Sequence, residues 1–571
     1  MAIIQAPPRT FISQDLKIKT WEDIAQYLLE LETCEINNET EFEIWLEQLS
    51  ELEAVLEEDM ARRYIRMTID TRDEDALQSY TEFITGIQPH LVTASDKLNR
   101  KLANTPFSKT FNEKGFNIYL RKIIREIEIF RENNVPILTE LQQLAQEFGA
   151  VNGKMSIEIG EKRMTMQQAA AELQSTDRAH REEVYRLMTK ERLAATEQLD
   201  QLFSHLVQKR NQLAINAGFE NFRDYQFAAL ARFDYNTEDC KNFHESIRKL
   251  IVPISSEIQA KRKSDLNVDA LRPWDLSVDP KGRPALKPFN TADELLRGCV
   301  AMFEQIDPYF GECLQTMADM GYLDLASKEG KAPGGYNYPL YETGVPFIFM
   351  NAVGTPRDLV TMVHEGGHAI HSFYNRDLHL TSYKSCPSEV AELASMSMEL
   401  LSMDYWGTFY KSQSELTRAK KEQLEDVLLM LPWIALIDRF QHWIYENPNH
   451  SSEDRLKAWT QMQWELSPDI VDWSGFEDAK ANAWQKQLHL FEVPFYYIEY
   501  GMAQLGAIAV WRNYRQNPTR AIEQFSNALK LGYTASIADI YATAGIKFDF
   551  SESYLSELAL FVKSELDKLE E

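Results

Sequence analysis

A mainly α-helical fold is predicted by three features of this sequence. Only 23 Gly and 21 Pro occur in 571 residues, about 8% against a usual ~12%. The chain is rich in Glu, Leu, Ala, Gln and Lys, all of which favour helix. Apolar side chains recur at three- and four-residue intervals along most of the length, and two-residue alternation is confined to short stretches. With 44% hydrophobic and 11% aromatic residues, the core is large, and the length calls for two or three closely packed helical subdomains.

In chain order, residues 20–150 carry acidic and apolar positions at helical spacing, in 21–31, 41–57, 74–87 and 116–130. The acidic positions are read as solvated faces. Residues 154–166 break this pattern: Met155, Ile157 and Ile159 alternate with polar residues, Gly160 offers a turn, and Met164 and Met166 resume the alternation. A hairpin is predicted. Helical spacing returns over 167–217, with Ser175, Thr176 and Asp177 as a stop and restart. The breakers Pro273, Pro280, Gly282, Pro284 and Pro288 predict a long surface loop over 266–290. Residues 331–354 hold Gly334, Gly335 and a β-like run at 345–350, which predicts a small sheet. The remainder, 357–571, reads as helical with short breaks.

The balance of 60 Lys and Arg against 87 Asp and Glu gives a net charge of −27. Nucleic-acid binding, which depends on displacing counterions with basic side chains, is not expected, and anionic membrane surfaces would repel the chain. The longest apolar window, 427–437, is interrupted by Pro432 and is too short for a membrane span. Residues 1–15 lack the basic and apolar segments of a secretory leader. Five widely spaced cysteines, with no CxxC pair, fit reduced thiols. A cytoplasmic protein without a thiolate zinc knuckle is expected.

The chemistry is concentrated at His364-Glu365-Gly366-Gly367-His368. Residues four apart share one helix face, so two imidazoles can hold one metal ion while Glu365 reaches water bound at that ion. With 11 His in 571 residues, an HExxH arises by chance on the order of once in fifty such chains. Leu359, Val360, Met362, Val363, Ala369 and Ile370 place the motif in apolar surroundings, where unpaired ionisable groups are costly. The paired glycines each cost roughly 1 kcal/mol in a helix interior. Close approach of a substrate or a neighbouring backbone would account for them.

A catalytic zinc site with two histidines needs a third protein ligand and one open position. Gly and His at the seventh and tenth places after the first histidine would mark a metzincin; here they are His371 and Tyr374. The third ligand is therefore sought on the helix that starts near Pro387. Glu389, Glu392 and Glu399 share one face of that otherwise apolar helix. Glu392 is the chosen ligand, with Glu389 or Glu399 orienting the histidines. His371 shares the motif's face and is read as a supporting or structural group, because a fourth protein ligand would close the site. Asp358 is either a further support or a helix cap.

These residues resemble the M3 metallopeptidases, and within them the oligoendopeptidase F branch, Pz-peptidase-like members included. The likeness is carried by HEGGHAIHSF followed by SEVAELASMSMEL, and by RFDY at 232–235, LRPWDL at 271–276 and HLFEVPFYYIEYG at 489–501. It implies a two-lobed, neurolysin-like helical fold with a deep central channel and a small sheet near the active site. It also implies an N-terminal helical region over 1–115, a helical region with the hairpin over 116–200, and a zinc catalytic domain over 201–571. By the same resemblance, His364, His368 and Glu392 hold one Zn2+ per chain, Glu365 is the base, and Glu399 supports. His489 and a tyrosine stabilise the transition state; Tyr496 is favoured over Tyr497 and Tyr500, which would join Gly334 and Gly335 in binding substrate. Gly366 departs from the bulkier apolar residue the branch often carries.

The function expected is hydrolysis of internal bonds in short unstructured peptides, with Glu365 activating zinc-bound water. An extended peptide could pair with an exposed sheet edge, for which the run 345–350 is the candidate. The alternatives are a helical scaffold or peptide-binding module whose metal is only structural, and a related metallocarboxypeptidase.

Overall fold

The computed structural model describes residues 4–569; residues 1–3, part of the stretch read for a leader, lie outside the described residues. Helices dominate it. In the N-terminal layer, the long helix Glu39–Ile69 opens on Asn38, whose side chain accepts from the Glu41 amide. Phe42, Trp45, Leu46, Leu49 and Leu52 form its buried stripe. This stripe packs with Leu98, Leu102, Phe116 and Tyr119 into a core separate from the larger one behind it.

The predicted hairpin forms between β1 (Ser156–Ile159) and β2 (Lys162–Thr165), which pair antiparallel around Gly160 in the left-handed region at φ +60°. Helices Met166–Glu172, Arg178–Ala194 and Thr196–Ala217 follow. Asp177 caps the second of these, accepting from the Ala179 and His180 amides, so the predicted restart is a cap. The segment around residues 266–290 is irregular as expected, but it is not a surface loop. Leu271, Trp274, Asp275 and Phe289 are buried in it. Asp275 ties it down, accepting from Arg178 and Arg181 at 2.8 Å each.

The apolar run 427–437 lies inside helix Gln413–Glu446 and is buried. No helix among the described residues is long and apolar enough to cross a membrane. The helix Ser388–Ser402 is buried around nearly its whole circumference. It lies between the motif helix Pro356–Asn375 and the helix Tyr497–Gln516. The linker between the first two reaches back to the N-terminal layer, where Thr381 donates from its amide to Ser50 Oγ at 2.7 Å.

A three-stranded sheet lies between the main core and a third, smaller cluster on the long N-terminal helix. Its central strand is β5 (Phe347–Ala352), parallel to β3 (Leu323–Ala326) and antiparallel to β4 (Tyr336–Tyr338). The expectation that 345–350 offers a free edge is therefore corrected: both sides of β5 are paired, and β3 and β4 are the edges. Successive side chains of a strand face opposite ways. Phe347 and Phe349 meet Ala61 and Ile65 of the long N-terminal helix, while Ile348 and Met350 join the main core. Lys331 sits within the sheet, donating to Asp324 Oδ1 at 2.7 Å and to the Met350 carbonyl at 2.6 Å.

Candidate metal centre

The motif helix begins at a capping box between Thr355 and Asp358. Asp358 Oδ2 accepts from the amides of Val353, Gly354 and Thr355 at 2.8–2.9 Å, so Asp358 acts as a cap. Two turns on, the rings of His364 and His368 stand 5.0 Å apart at 85°. Both present Nε2 to Glu392 Oε2, at 3.3 Å from His364 and 3.7 Å from His368. Donors about 2.0–2.1 Å from a tetrahedral ion stand about 3.4 Å from one another, so this spacing fits a shared divalent cation. Two imidazoles and one carboxylate suit a divalent cation such as zinc, and three donors leave one tetrahedral position free.

The glycines explain how the two helices come so close. A Cβ on Gly367 would lie 2.6 Å from Ser395 Cα and 2.8 Å from the Ala394 carbonyl oxygen. One on Gly366 would lie 2.7 Å from the Phe303 ring. A bulkier side chain at position 366 would need the room that Phe303 fills.

Hydrogen bonds fix the donors. His364 Nδ1 donates to Glu399 Oε1 at 2.7 Å, and Glu399 Oε2 accepts from Gln423 at 3.0 Å. Glu392 Oε1 accepts from the Tyr496 hydroxyl at 2.7 Å, and its Oε2 from Ser395 Oγ at 3.1 Å. Burial pushes the Glu392 carboxyl up, but the neighbouring His368, His364 and Tyr496 outweigh it and hold it at about 2. Burial lowers His368 to about 4. Glu365 is buried next to this group, and burial raises its carboxyl to about 7.

Of the two carboxylates offered for orienting the histidines, Glu389 faces elsewhere. Its Oε1 accepts from Tyr235 at 2.6 Å, and Glu399 is the carboxylate that reaches an imidazole. His371 Nε2 stands 3.4 Å from Cys386 Sγ, on the flank of the motif helix, and burial lowers it to about 3. Gly334 has φ +98° and its carbonyl accepts from Asn351 at 3.0 Å. Gly335 passes close over the motif helix, where a Cβ would meet Thr361 at 3.3 Å. On the next strand, Asn337 reaches the Glu365 carbonyl at 3.4 Å.

His489 is ringed by Tyr496, Tyr497 and Tyr500, at centroid distances of 5.9, 4.8 and 5.6 Å. The Tyr500 hydroxyl is 3.5 Å from His489 Nε2. Gln487 pairs with His489 Nδ1 at 2.7 Å; an amide N–H donated there leaves the ring proton on Nε2. Burial lowers His489 to about 4, so the ring is neutral near neutral pH.

Sequence reasoning missed the support behind this cluster. Phe495 is held in the left-handed region at φ +67°, where non-glycine residues are uncommon and point to a functional constraint. Its amide donates to Gln441 at 2.6 Å, and its carbonyl accepts from the buried Arg232, which also pairs with Glu499 at 2.7 Å. A lone Arg in the apolar run before Tyr235 was the available signal, since a buried guanidinium needs carboxylate and carbonyl partners.

Two family models match the chain: Peptidase family M3 over residues 171–560, and the Peptidase M3 N-terminal domain over residues 14–130. Oligopeptidase PepF of Bacillus subtilis (strain 168) is 22% identical over 357 residues, 62% of this chain and 52% of its own length. The chromosomal oligoendopeptidase F of Lactococcus lactis subsp. cremoris is 25% identical over 275 residues, 46% of this chain and 44% of its own. The chain thus spans about half the length of these curated relatives. The structure of PZ peptidase A with inhibitor 2 superposes with a TM-score of 0.90 at 26% identity, covering 95% of this chain and 96% of that one. Oligoendopeptidase-F from Enterococcus faecium shares the fold at a TM-score of 0.64 and 14% identity, covering 96% and 97%. The chain belongs to peptidase family M3.

Proposed function

We propose that this member of peptidase family M3 is a zinc-dependent oligoendopeptidase, cutting internal bonds of short unstructured peptides with one ion held by His364, His368 and Glu392. The observation that carries the proposal is the convergence of both imidazole Nε2 atoms on Glu392, with Glu365 buried beside them. Bound zinc supplies a Lewis acid for the scissile carbonyl and lowers the pKa of a water. Glu365 takes the proton of the attacking water and passes a proton to the leaving amine. Glu399 fixes the His364 ring.

His489, neutral and donating from Nε2, and Tyr496 stabilise the developing oxyanion, such donors being worth about 3 kcal/mol each. Tyr496 is preferred over Tyr497 and Tyr500 because its hydroxyl already reaches Glu392, whereas that of Tyr500 reaches His489. The edge strand β4 offers backbone pairing to an extended peptide beside the motif helix, Gly334 and Gly335 lead into it, and Tyr497 and Tyr500, packed against His489, complete the substrate contacts. Cytoplasmic residence belongs to the same proposal, supported by five cysteines that are all unpaired thiols.

The test is Glu365→Gln assayed on an end-blocked peptide. Metal content should stay intact while hydrolysis falls by ~10²–10⁴. Unchanged hydrolysis would remove Glu365 from the chemistry. Failure of the wild-type protein to cut an end-blocked peptide that it cuts once the C-terminus is free would instead favour a carboxypeptidase.

A further inference from the structure

Behind the Phe495 turn, two packed helices bring four chemistry-bearing side chains together outside the peptidase site. Cys240 and His244 lie four apart on Thr237–Asp265, and Asp438 and His442 lie four apart on Gln413–Glu446. Each pair therefore occupies one helix face. All four are buried, Cys240 and Asp438 completely. Cys240, Asp438 and His442 each offer a ligand atom within 4.8 Å of the others.

We propose that Cys240, Asp438 and His442 form a second, structural site for a divalent cation with zinc-like ligand preference. His244 keeps its 2.7 Å hydrogen bond to Asp438 Oδ2 and aims the carboxylate. Asp438 Oδ1 and both ring nitrogens of His442 are buried without a hydrogen-bond partner. His442 Nε2 stands 3.3 Å from Asp438 Oδ2, within ion-pair distance but outside good hydrogen-bond geometry. Phe227 and Phe495 pack against it, 6.0 and 5.4 Å from the His442 ring.

Several unpaired polar atoms in one buried cluster call for an explanation, and here the three converging ligand atoms favour an ion over an ordered water. Thiolate, imidazole and carboxylate together suit zinc or cobalt rather than calcium or magnesium. One thiolate and one carboxylate balance the two charges of the ion, so the buried group is neutral as a unit. Binding releases the Cys240 thiol proton, one per ion, with no change of oxidation state. Burial on all sides leaves no path for substrate, which makes the site structural. Gln441, between Asp438 and His442 in the same turn, holds the Phe495 amide. The ion would thereby steady the segment that presents Tyr496.

The test is elemental analysis of the full-length protein, combined with absorbance of its cobalt-substituted form. Wild type should carry two equivalents and show a thiolate-to-cobalt charge-transfer band. The double variant His364→Ala, His368→Ala should keep one equivalent and the band. Cys240→Ser should lose one equivalent and the band; Asp438→Asn, isosteric at the neighbouring position, should also lose one equivalent and provides the check if Cys240→Ser does not fold. A single equivalent in wild type with none in the histidine double variant would overturn the proposal, as would a band that survives Cys240→Ser.

Discussion

Gly367→Ala should separate stability from metal binding. The added methyl would start 2.6 Å from Ser395 Cα and 2.8 Å from the Ala394 carbonyl oxygen. Ordinary carbon contacts need about 3.5 Å or more, so the motif helix must retreat by about 1 Å from the helix that carries Glu392. Replacing a mid-helix glycine by alanine recovers about 1 kcal/mol of helix stability, and overpacking costs about 1–3 kcal/mol, so the net loss is at most ~2 kcal/mol. The site is less tolerant. Its donors stand 3.3 and 3.7 Å apart across that same gap, and a 1 Å misplacement costs ~10²-fold in rate. Gly149→Ala is the control, since nothing lies within 4 Å of its added methyl. Thermal unfolding, metal competition against a chelator, and kcat/KM on a blocked peptide should be measured on both variants. Gly149→Ala should match wild type in all but a small gain in stability. If Gly367→Ala keeps metal affinity and kcat/KM within about twofold of wild type, the helix spacing does not set the site geometry.

Two further outcomes are expected. Tyr496→Phe should lower kcat by ~10²–10³ with little change in KM if its hydroxyl serves the transition state, whereas an equal loss in Tyr500→Phe but not Tyr496→Phe would reassign that role. Glu53, half-buried and bonded to Ser382 at 3.3 Å, has its carboxyl raised from 4.5 to about 7, by burial first and Glu126 second, against the pull of Lys122. The unfolded chain releases this proton first, so the stability deficit grows as pH rises from about 4.5 to about 7 and is complete above that. Full desolvation would make it about 3 kcal/mol, and partial exposure brings it to ~1–2 kcal/mol. Glu53→Gln should therefore stabilise the protein at pH ~8 but not at pH ~4 in matched unfolding experiments; equal effects at both would show that the charge is already solvated.

The parts of the fold legible in the sequence were those set by neighbours within a turn or two. Helical periodicity, the hairpin at Gly160 and the four-residue spacing of His364 and His368 are all local. The choice between Glu389 and Glu399 was not, since both share a face with Glu392. What separates them is Tyr235 reaching in from a distant segment and the closeness of His364 to Glu399. The edge assignment at 345–350 failed although a warning was present. A run that is apolar at every position is the pattern of a strand covered on both faces and paired on both sides. Breakers around residue 273 reported irregular backbone correctly but said nothing of exposure. Trp274 and Leu271 carried that information, through the area they bury.

The alternating contacts of β5 have a mechanical consequence. Phe349 is wedged against one half of the molecule and its neighbour Ile348 against the other, and the same strand is bonded on both flanks. The long amino-terminal rod cannot tilt without dragging this ribbon, and the ribbon lies on the helix bearing the two imidazoles. A shift of that rod would then be passed through the ribbon to the registration of the two imidazoles.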